Sequence, residues 1–368
     1  MPDRTCPLPV SRRHAVTGLL AAAAASVAGC SRAAQPATGD AAEAAEEAAN
    51  VPRRPGLDAA LLAAAIERAE GLPQLHTLIV AKDGETLAAR TFRGPGPDTP
   101  VNIKSAAKTV LAALAGAAVD QGLLRLDQPI APVLGPRVPA GADPRVREIT
   151  VEHLLTMAAG LEPTSGRNYG RWVSSRDWVG FALSRPFVAE PGGRMLYSTG
   201  TSHILSAVLT AAAGRSTLAL AREWLGEPLG VQIPAWTRDP QGIYFGGNEM
   251  AMSPRALLRF GEVYRNGGLH GGVRVLPAAW VEDSWRSRGG RSPYTGYTYG
   301  LGWWIREAVG QPVYFAWGYG GQMIYVLPSL GLTVVMTSDP AARGVDGHVQ
   351  ALHALFDQTL APAALRGA

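Results

Sequence analysis

Ser105 and Lys108 stand three residues apart in the stretch NIKSAAKTVLAALAGAAVD, which runs from Asn102 to Asp120. On a helix that spacing puts both side chains on one face, about one turn apart. A serine hydroxyl is a poor nucleophile until a neighbouring base takes its proton. Lysine becomes such a base when burial disfavours its ammonium form. The surroundings supply the burial: from Ala106 to Val119 the chain is Ala, Val, Leu, Gly and Thr apart from Lys108. A stretch apolar on every side is buried, and a buried lysine must be paired or neutral. Amide N–H groups at the start of the helix add a place for a developing oxyanion. A capping serine with a snorkelling lysine is the alternative account of the same spacing. Composition makes the lysine informative, because the 368 residues hold 31 arginines but only Lys82, Lys104 and Lys108. Arginine stays charged at any usable pH, whereas lysine can lose its proton.

Two further stretches belong to the same chemistry. In PGGRMLYSTGTSHILSAVL, Tyr197 sits where a Pro-Gly-Gly turn runs into a helix. A phenol at such a junction can relay a proton between lysine, serine and leaving group. A packed tyrosine is the alternative. In FAWGYGGQMIYVLP, glycines stand beside a strand edge, where backbone can approach a ligand closely. An ordinary glycine-rich turn is the alternative there.

The elements that must position these residues follow from periodicity. LDAALLAAAIERAEGL reads as an amphipathic helix closed by Gly71. HTLIVAKDGETLAARTF is two β-type runs around Asp83-Gly84, a hairpin signal. Helical stretches follow at 105–121, 175–184, 199–213, 216–226 and 253–266. Strands come late, in YTYGLGWWIRE, PVYFAW, GQMIYVLP and LTVVMTS, before a final helix HVQALHALFDQTL. Strands at both ends and helices between them imply an α/β (α+β) fold: an antiparallel sheet flanked by terminal helices, with a helical insertion at about 105–274.

The order Ser-x-x-Lys, then Tyr-Ser-x about 90 residues later, then a glycine-rich strand, resembles the serine β-lactamase and penicillin-recognising superfamily. It is most similar to class C-like esterases and the 6-aminohexanoate-dimer hydrolase branch. VEHLLTMAAGL (151–161), LYSTGTSHILSAVLTAAAGRS (196–216) and NEMAMSPRALLRFGEVYRNGG (248–268) extend the resemblance over roughly Leu57 to Leu360. It implies a β-lactamase-like fold with an all-helical subdomain, Ser105 as nucleophile, Lys108 as its base and Tyr197 as proton relay. It implies an oxyanion hole from the backbone N–H groups of Ser105 and Tyr319, with Trp317-Gly318-Tyr319 standing where relatives have Lys-Thr-Gly. Gly320 and Thr199 join Trp317 and Gly318 as substrate-pocket candidates.

Departures bear on the substrate. Thr199 occupies the place of the usual asparagine, and the third motif has lost the cation that would hold a substrate carboxylate. Both weaken the case for D-alanyl carboxypeptidase or β-lactamase activity and favour neutral ester or amide substrates. A non-catalytic tethered lipoprotein of the same fold is a further alternative. Met157 and Ala159 replace the His and Ser of many relatives, a packing difference. Tyr169, in SGRNYGRW, sits where amide-hydrolysing relatives place a second tyrosine; a loop aromatic remote from the chemistry is the other reading. Trp172 and Trp178 read as core residues before pocket walls, and His203 as a locally bonded residue.

The N-terminus reads as an export signal over 1–29: twin arginines (Arg12, Arg13), then 15 apolar residues from Ala15 to Gly29. VAGC resembles a lipobox and makes Cys30 the expected lipidation site and membrane anchor, on a low-complexity tether over 30–56; plain secretion is the alternative. The folded domain is expected at 57–368. The expectation is an exported bacterial lipoprotein of the periplasm or cell envelope. Cys6 leaves with the signal, so the mature chain has one cysteine and no intrachain disulfide. The formal charge of +4 and the lack of a basic stripe exclude a nucleic-acid footprint. No Gly-x-Ser-x-Gly, His-Glu-x-x-His, Cys-x-x-Cys or P-loop occurs, and the histidines show no ligand spacing, so neither metal nor cofactor is expected.

Overall fold

Helix α1 (Ala59–Glu70) opens the described chain, its first turn closed by the Asp58 carboxylate, which accepts the Leu61 N–H at 3.0 Å. The computed structural model describes residues 56–292, 295–342 and 347–367; the signal-like segment, Cys30 and the rest of the tether before Gly56 lie outside the described residues. Strands β1 (Leu75–Lys82) and β2 (Glu85–Thr91) follow as a hairpin. Its two turn residues, Asp83 and Gly84, have φ of 50° and 87°. Two consecutive left-handed residues are what a two-residue hairpin of this twist requires, and Asp-Gly supplies them at little strain.

The remaining sheet strands come late in the chain: β3 (Arg288–Arg291), β4 (Thr298–Tyr299), β5 (Trp304–Ala308), β6 (Gln311–Gly318), β7 (Gln322–Leu327) and β8 (Leu332–Ser338). The eight strands lie in the order β2-β1-β8-β7-β6-β5-β4-β3, each pair antiparallel. The N-terminal hairpin therefore docks on the last strand, Leu78 opposite Met336, and the chain between β2 and β3 is an insertion.

Both faces of the sheet are covered, so β7 and β8 are buried along their whole length and read as continuous apolar runs. Alternation survives in what each residue touches. Ile79, Ile324 and Val335 pack with the inserted segment, while Leu78, Tyr325, Val334 and Met336 pack with α1 and the C-terminal helix α5 (His348–Leu355).

Three helices of the inserted segment matter to the site: α2 (Ala107–Asp120), α3 (Thr199–Ala213) and α4 (Pro254–Arg265). Helix α2 is buried without a break from Ala107 to Ala118. It crosses α3 in the interior, while α4 lies on the sheet. Gly261 makes that last contact possible, since a Cβ there would crowd Thr333 and Ile324 methyls at 2.8 and 2.9 Å.

Two features mark the inserted segment besides its helices. Val101–Asn102 pairs with Ala251–Met252 and Leu269–His270 with Val273–Arg274, pinning the segment with two short ladders. Helix α4 belongs with the sheet, because its Leu257, Phe260 and Tyr264 face is apolar and fully buried. Helix boundaries also move: residues 175–184 shorten to Trp178–Leu183, preceded by a separate turn of helix at Tyr169–Val173. Among the described residues no single helix is long and apolar enough to cross a membrane.

Packing around α2 gives a stability prediction. A Cβ on Gly116 would overlap the indole of buried Trp280. Alanine normally stabilises a helix interior by about 1 kcal/mol over glycine. Overpacking costs about 1–3 kcal/mol and is expected to win here, so Gly116→Ala should lower the urea midpoint with an unchanged m-value. A raised midpoint would show that the indole moves freely.

Candidate active site

The turn that presents Ser105 is built before α2 begins. Asn102 Oδ1 accepts the Lys104 N–H at 2.9 Å, and Lys104 adopts a left-handed φ of 51°. A side-chain-bearing residue held there stores strain, and the strain sits directly before the candidate nucleophile. Asn102 Nδ2 and Lys104 Nζ bond the two Glu249 carboxylate oxygens at 2.8 and 3.2 Å. Glu249 is itself left-handed, with φ 59°. Ser105 therefore lies in a 3₁₀ turn (Lys104–Ala106), not in the first turn of an α-helix running from 105. Lys108 follows in the first turn of α2 and still meets it.

Lys108 Nζ donates to Gly247 O at 2.8 Å and lies 3.1 Å from Ser105 Oγ and 3.3 Å from Thr199 Oγ1. The side chain is 3 % exposed, and burial lowers its pKa from 10.5 to about 7. A neutral amine has two N–H bonds and one lone pair. A carbonyl can only accept, so Gly247 takes one N–H; with Thr199 taking the other, the lone pair is left for the Ser105 hydroxyl proton. Thr199 is anchored for that role, its Oγ1 3.1 Å from Ser165 Oγ and its N–H donating to the same oxygen at 3.0 Å.

Tyr197 stands immediately before α3, fixed by the Leu196 N–H to Met157 O bond at 2.7 Å. Met157 is buried and left-handed at φ 59°, so it serves packing and backbone direction. The Tyr197 ring stacks on Trp304 at 5.6 Å, and the Lys108 amine lies 5.0 Å from its centroid. Burial pushes the phenol up to about 12, against the lowering effect of its hydrogen bond with Ser105. A phenol with that pKa stays protonated at neutral pH and can donate.

The β6–β7 turn comes to the same place because Gly318 has no side chain: a Cβ there would collide with the carbonyl of Ile103, two residues before Ser105. Beyond it Tyr319 is 72 % exposed, and the turn closes by Gly321 N–H to Gly318 O at 3.1 Å. A second brace comes from α5. His348 Nε2 lies 2.9 Å from Ser338 Oγ, which donates to Gly321 O at 3.2 Å. Among the turn, loop and cap bonds of the described residues, none uses the N–H of Ser105 or of Tyr319.

A cleft of about 1180 Å³ opens over this group, lined by Ser105, Tyr197, Ser165, Trp304, Trp317, Tyr319 and Gly320 among others. Arg167 is the one lysine or arginine in its described lining, and it is paired with Glu162 at 2.8 Å.

The structure thus brings together Ser105, Lys108, Tyr197 and Thr199, with the Tyr319 turn and Trp317 at the cleft. Three pocket candidates are not among the cleft-lining residues. Thr199 is buried against the lysine, and Gly318 serves the close approach to Ile103. Tyr169 lies outside the lining, its hydroxyl accepting from Asn248 Nδ2 at 2.9 Å and its ring edge-on to Trp172 at 5.9 Å. Trp172 and Trp178 are core residues, 0 % and 6 % exposed. Gly247, Ser165 and Glu249 were not legible as site residues, although the Gly246-Gly247 pair is a signal of close backbone approach. Among the described residues no three His, Cys, Asp or Glu side chains converge as a metal site.

The family profile described as Beta-lactamase matches residues 76–355. Among solved structures, a Bacillus anthracis protein named for 6-aminohexanoate-dimer hydrolase superposes with a TM-score of 0.66 at 19% identity, covering 82% of this chain and 81% of that one. EstCE1, a hydrolase with promiscuous acyltransferase activity, gives 0.67 at 20% identity over 81% of this chain and 99% of its own. A penicillin-binding protein homologue from Caulobacter crescentus gives 0.65 at 20% identity, covering 82% and 99%. No curated protein sequence matches.

Proposed function

Since the chain belongs to the Beta-lactamase family, we propose that it is a serine hydrolase of neutral ester or amide bonds working through an acyl-enzyme. Lys108 takes the Ser105 hydroxyl proton as Oγ attacks the substrate carbonyl carbon. The backbone N–H groups of Ser105 and Tyr319 receive the oxyanion, each worth about 3 kcal/mol by analogy with other oxyanion donors. The proton returns from the Lys108 ammonium, through the Tyr197 phenol, to the leaving oxygen or nitrogen as its bond to carbon breaks. Water then attacks the acyl carbon and gives its proton, through Tyr197, to Lys108; the bond from acyl carbon to Oγ breaks, and Lys108 returns the proton to Ser105 Oγ.

The observation that carries this reading is the 3.1 Å contact between Ser105 Oγ and an amine whose two N–H bonds have other acceptors. The substrate class rests on the cleft: Trp304 and Trp317 offer apolar surface, and its one described lysine or arginine is already paired.

A fluorophosphonate probe is expected to label the protein stoichiometrically, with the added mass on the peptide containing Ser105. A p-nitrophenyl ester should be turned over faster than nitrocefin. A protein that stays unlabelled would overturn the enzyme reading, and preferential nitrocefin hydrolysis would overturn the substrate class.

A further inference from the structure

The Gly247 carbonyl reaches Lys108 from a loop anchored to helix α3, and the anchor is a buried pair with no other evident task. We propose that His203 and Asp239 are positioning residues: they hold Gly246 and Gly247 against α3, so that the Gly247 carbonyl meets the Lys108 amine. The inference rests on Lys108 being the base proposed above, but its test does not need turnover.

His203 lies one turn beyond Thr199 on α3, so both face the loop side. Its Nδ1 accepts the Gly246 N–H at 3.2 Å, which leaves the proton on Nε2. Nε2 then donates to Asp239 Oδ2 at 3.0 Å, with both side chains fully buried. The other Asp239 oxygen accepts the N–H groups of Gln241 and Ile243 at 2.9 and 2.8 Å, and Asp239 N donates to Ile243 O at 2.8 Å. The carboxylate thus organises the loop, and the imidazole ties it to the helix. The ring plane is set by Trp172, Trp178 and Phe245, edge-on at 5.8, 5.4 and 5.9 Å.

The fit leaves no slack. A Cβ on Gly246 would overlap the Ser202 carbonyl and approach His203 Cα at 2.7 Å. One on Gly247, at φ 81°, would meet Lys108 Cγ at 2.5 Å. Ser202 Oγ donates to Gly246 O at 3.0 Å. Two residues beyond Gly247, Glu249 holds the far end of the loop through Lys104 and Asn102. The titratable groups around the device are therefore Tyr197 beside Lys108, Tyr169 bonded to Asn248, the Glu249–Lys104 pair beyond Gly247, and Asp239 beside His203. Of these groups the last pair ties the loop to α3, beside the hydroxyl bonds of Ser202 and Ser206 to the Gly246 and Tyr244 carbonyls.

Asp239→Asn is the near-isosteric test. An amide donor facing His203 Nε2 imposes the other tautomer, whose Nδ1–H opposes the Gly246 N–H, and the loop should draw back. The chain has three lysines, so protein with labelled lysine Nζ gives three NMR signals; Lys108→Met identifies the one wanted. In the parent protein that signal should titrate at about pH 7. Water admitted by the retreating loop should raise its midpoint by roughly one pH unit or more in Asp239→Asn and His203→Leu. The acid limb of kcat/KM should move the same way. His203→Gln, which offers one donor and one acceptor, should stay nearer the parent value.

An unmoved Lys108 midpoint in folded Asp239→Asn and His203→Leu protein would overturn the proposal, even with a rate loss equal at every pH. A midpoint that moves in a protein lacking Ser105-dependent turnover would uphold the positioning role while the enzyme reading fails.

Discussion

Ser105→Ala is expected to lower kcat/KM for a p-nitrophenyl ester by about 10⁴-fold or more while leaving the fold intact. Lys108 has three oxygen partners, and only one of them can be acylated. The Gly247 carbonyl is no nucleophile, and Thr199 Oγ1 is buried and engaged with Ser165. Ser105 Oγ alone both touches the amine and lines the cleft. Alanine should be tolerated structurally, because the turn is held by Asn102, Lys104 and Glu249 and not by the serine hydroxyl. The backbone N–H at 105 survives the substitution. Residual turnover should therefore remain above the uncatalysed rate, as it does when other acyl-transfer enzymes lose a nucleophile. Circular dichroism and a urea transition test the fold. A folded variant keeping a tenth of parent activity would move the nucleophile elsewhere.

The parts of this site legible in the sequence are those whose signal is local. Ser105 and Lys108 are three residues apart, so helical geometry alone joins them, and the rarity of lysine singles out the second. Asp83-Gly84 announces its hairpin because few residue pairs adopt two left-handed conformations cheaply. The sheet was legible in its strands, although burial on both faces of β7 and β8 hides which residue faces which layer. What stayed hidden is long-range or backbone-borne. A glycine carbonyl carries no side-chain signature, and Gly247 lies 139 residues from Lys108. Ser165 meets Thr199 across 34 residues, through a serine that reads as an ordinary loop residue. Thr199 stands as a departure from the resembled pattern. Only the structure shows that its hydroxyl reaches the lysine. Tyr169, a candidate from the resemblance, follows a cleft-lining loop (Ser165–Asn168) in the chain but bonds Asn248 and is not among the lining residues. Lys104 and Glu249 stand 145 residues apart, yet they are two left-handed residues clasped to each other on either side of the chemistry.

Lys108→Met should separate the two roles of the amine, giving an inactive protein that is more stable than its parent at neutral pH. Activity should fall by about 10²–10⁴-fold, the usual range for loss of a general base. The stability gain follows from linkage. The folded lysine pKa is about 7 against an ordinary 10.5, so between those values the unfolded chain binds the extra proton and stability rises with pH. Below about pH 7 both states are protonated, and the full cost of burying the amine is present. At about 1.4 kcal/mol per pH unit, the displacement from 10.5 to about 7 sets an upper bound of about 5 kcal/mol. Methionine fills similar volume without the charge, but it leaves the Gly247 carbonyl without its donor, at a cost of about 1–3 kcal/mol. A net gain of about 2 kcal/mol at pH 7 is the expected balance. It should shrink steadily as pH rises towards 10.5, because the parent then folds with an amine that is neutral in both states. Urea transitions of parent and variant across pH 6–10 measure the gap, and other titrating groups cancel in the difference. A gap that stays constant would mean that Lys108 keeps its ordinary pKa in the fold, and with it the proton that the mechanism needs it to lose.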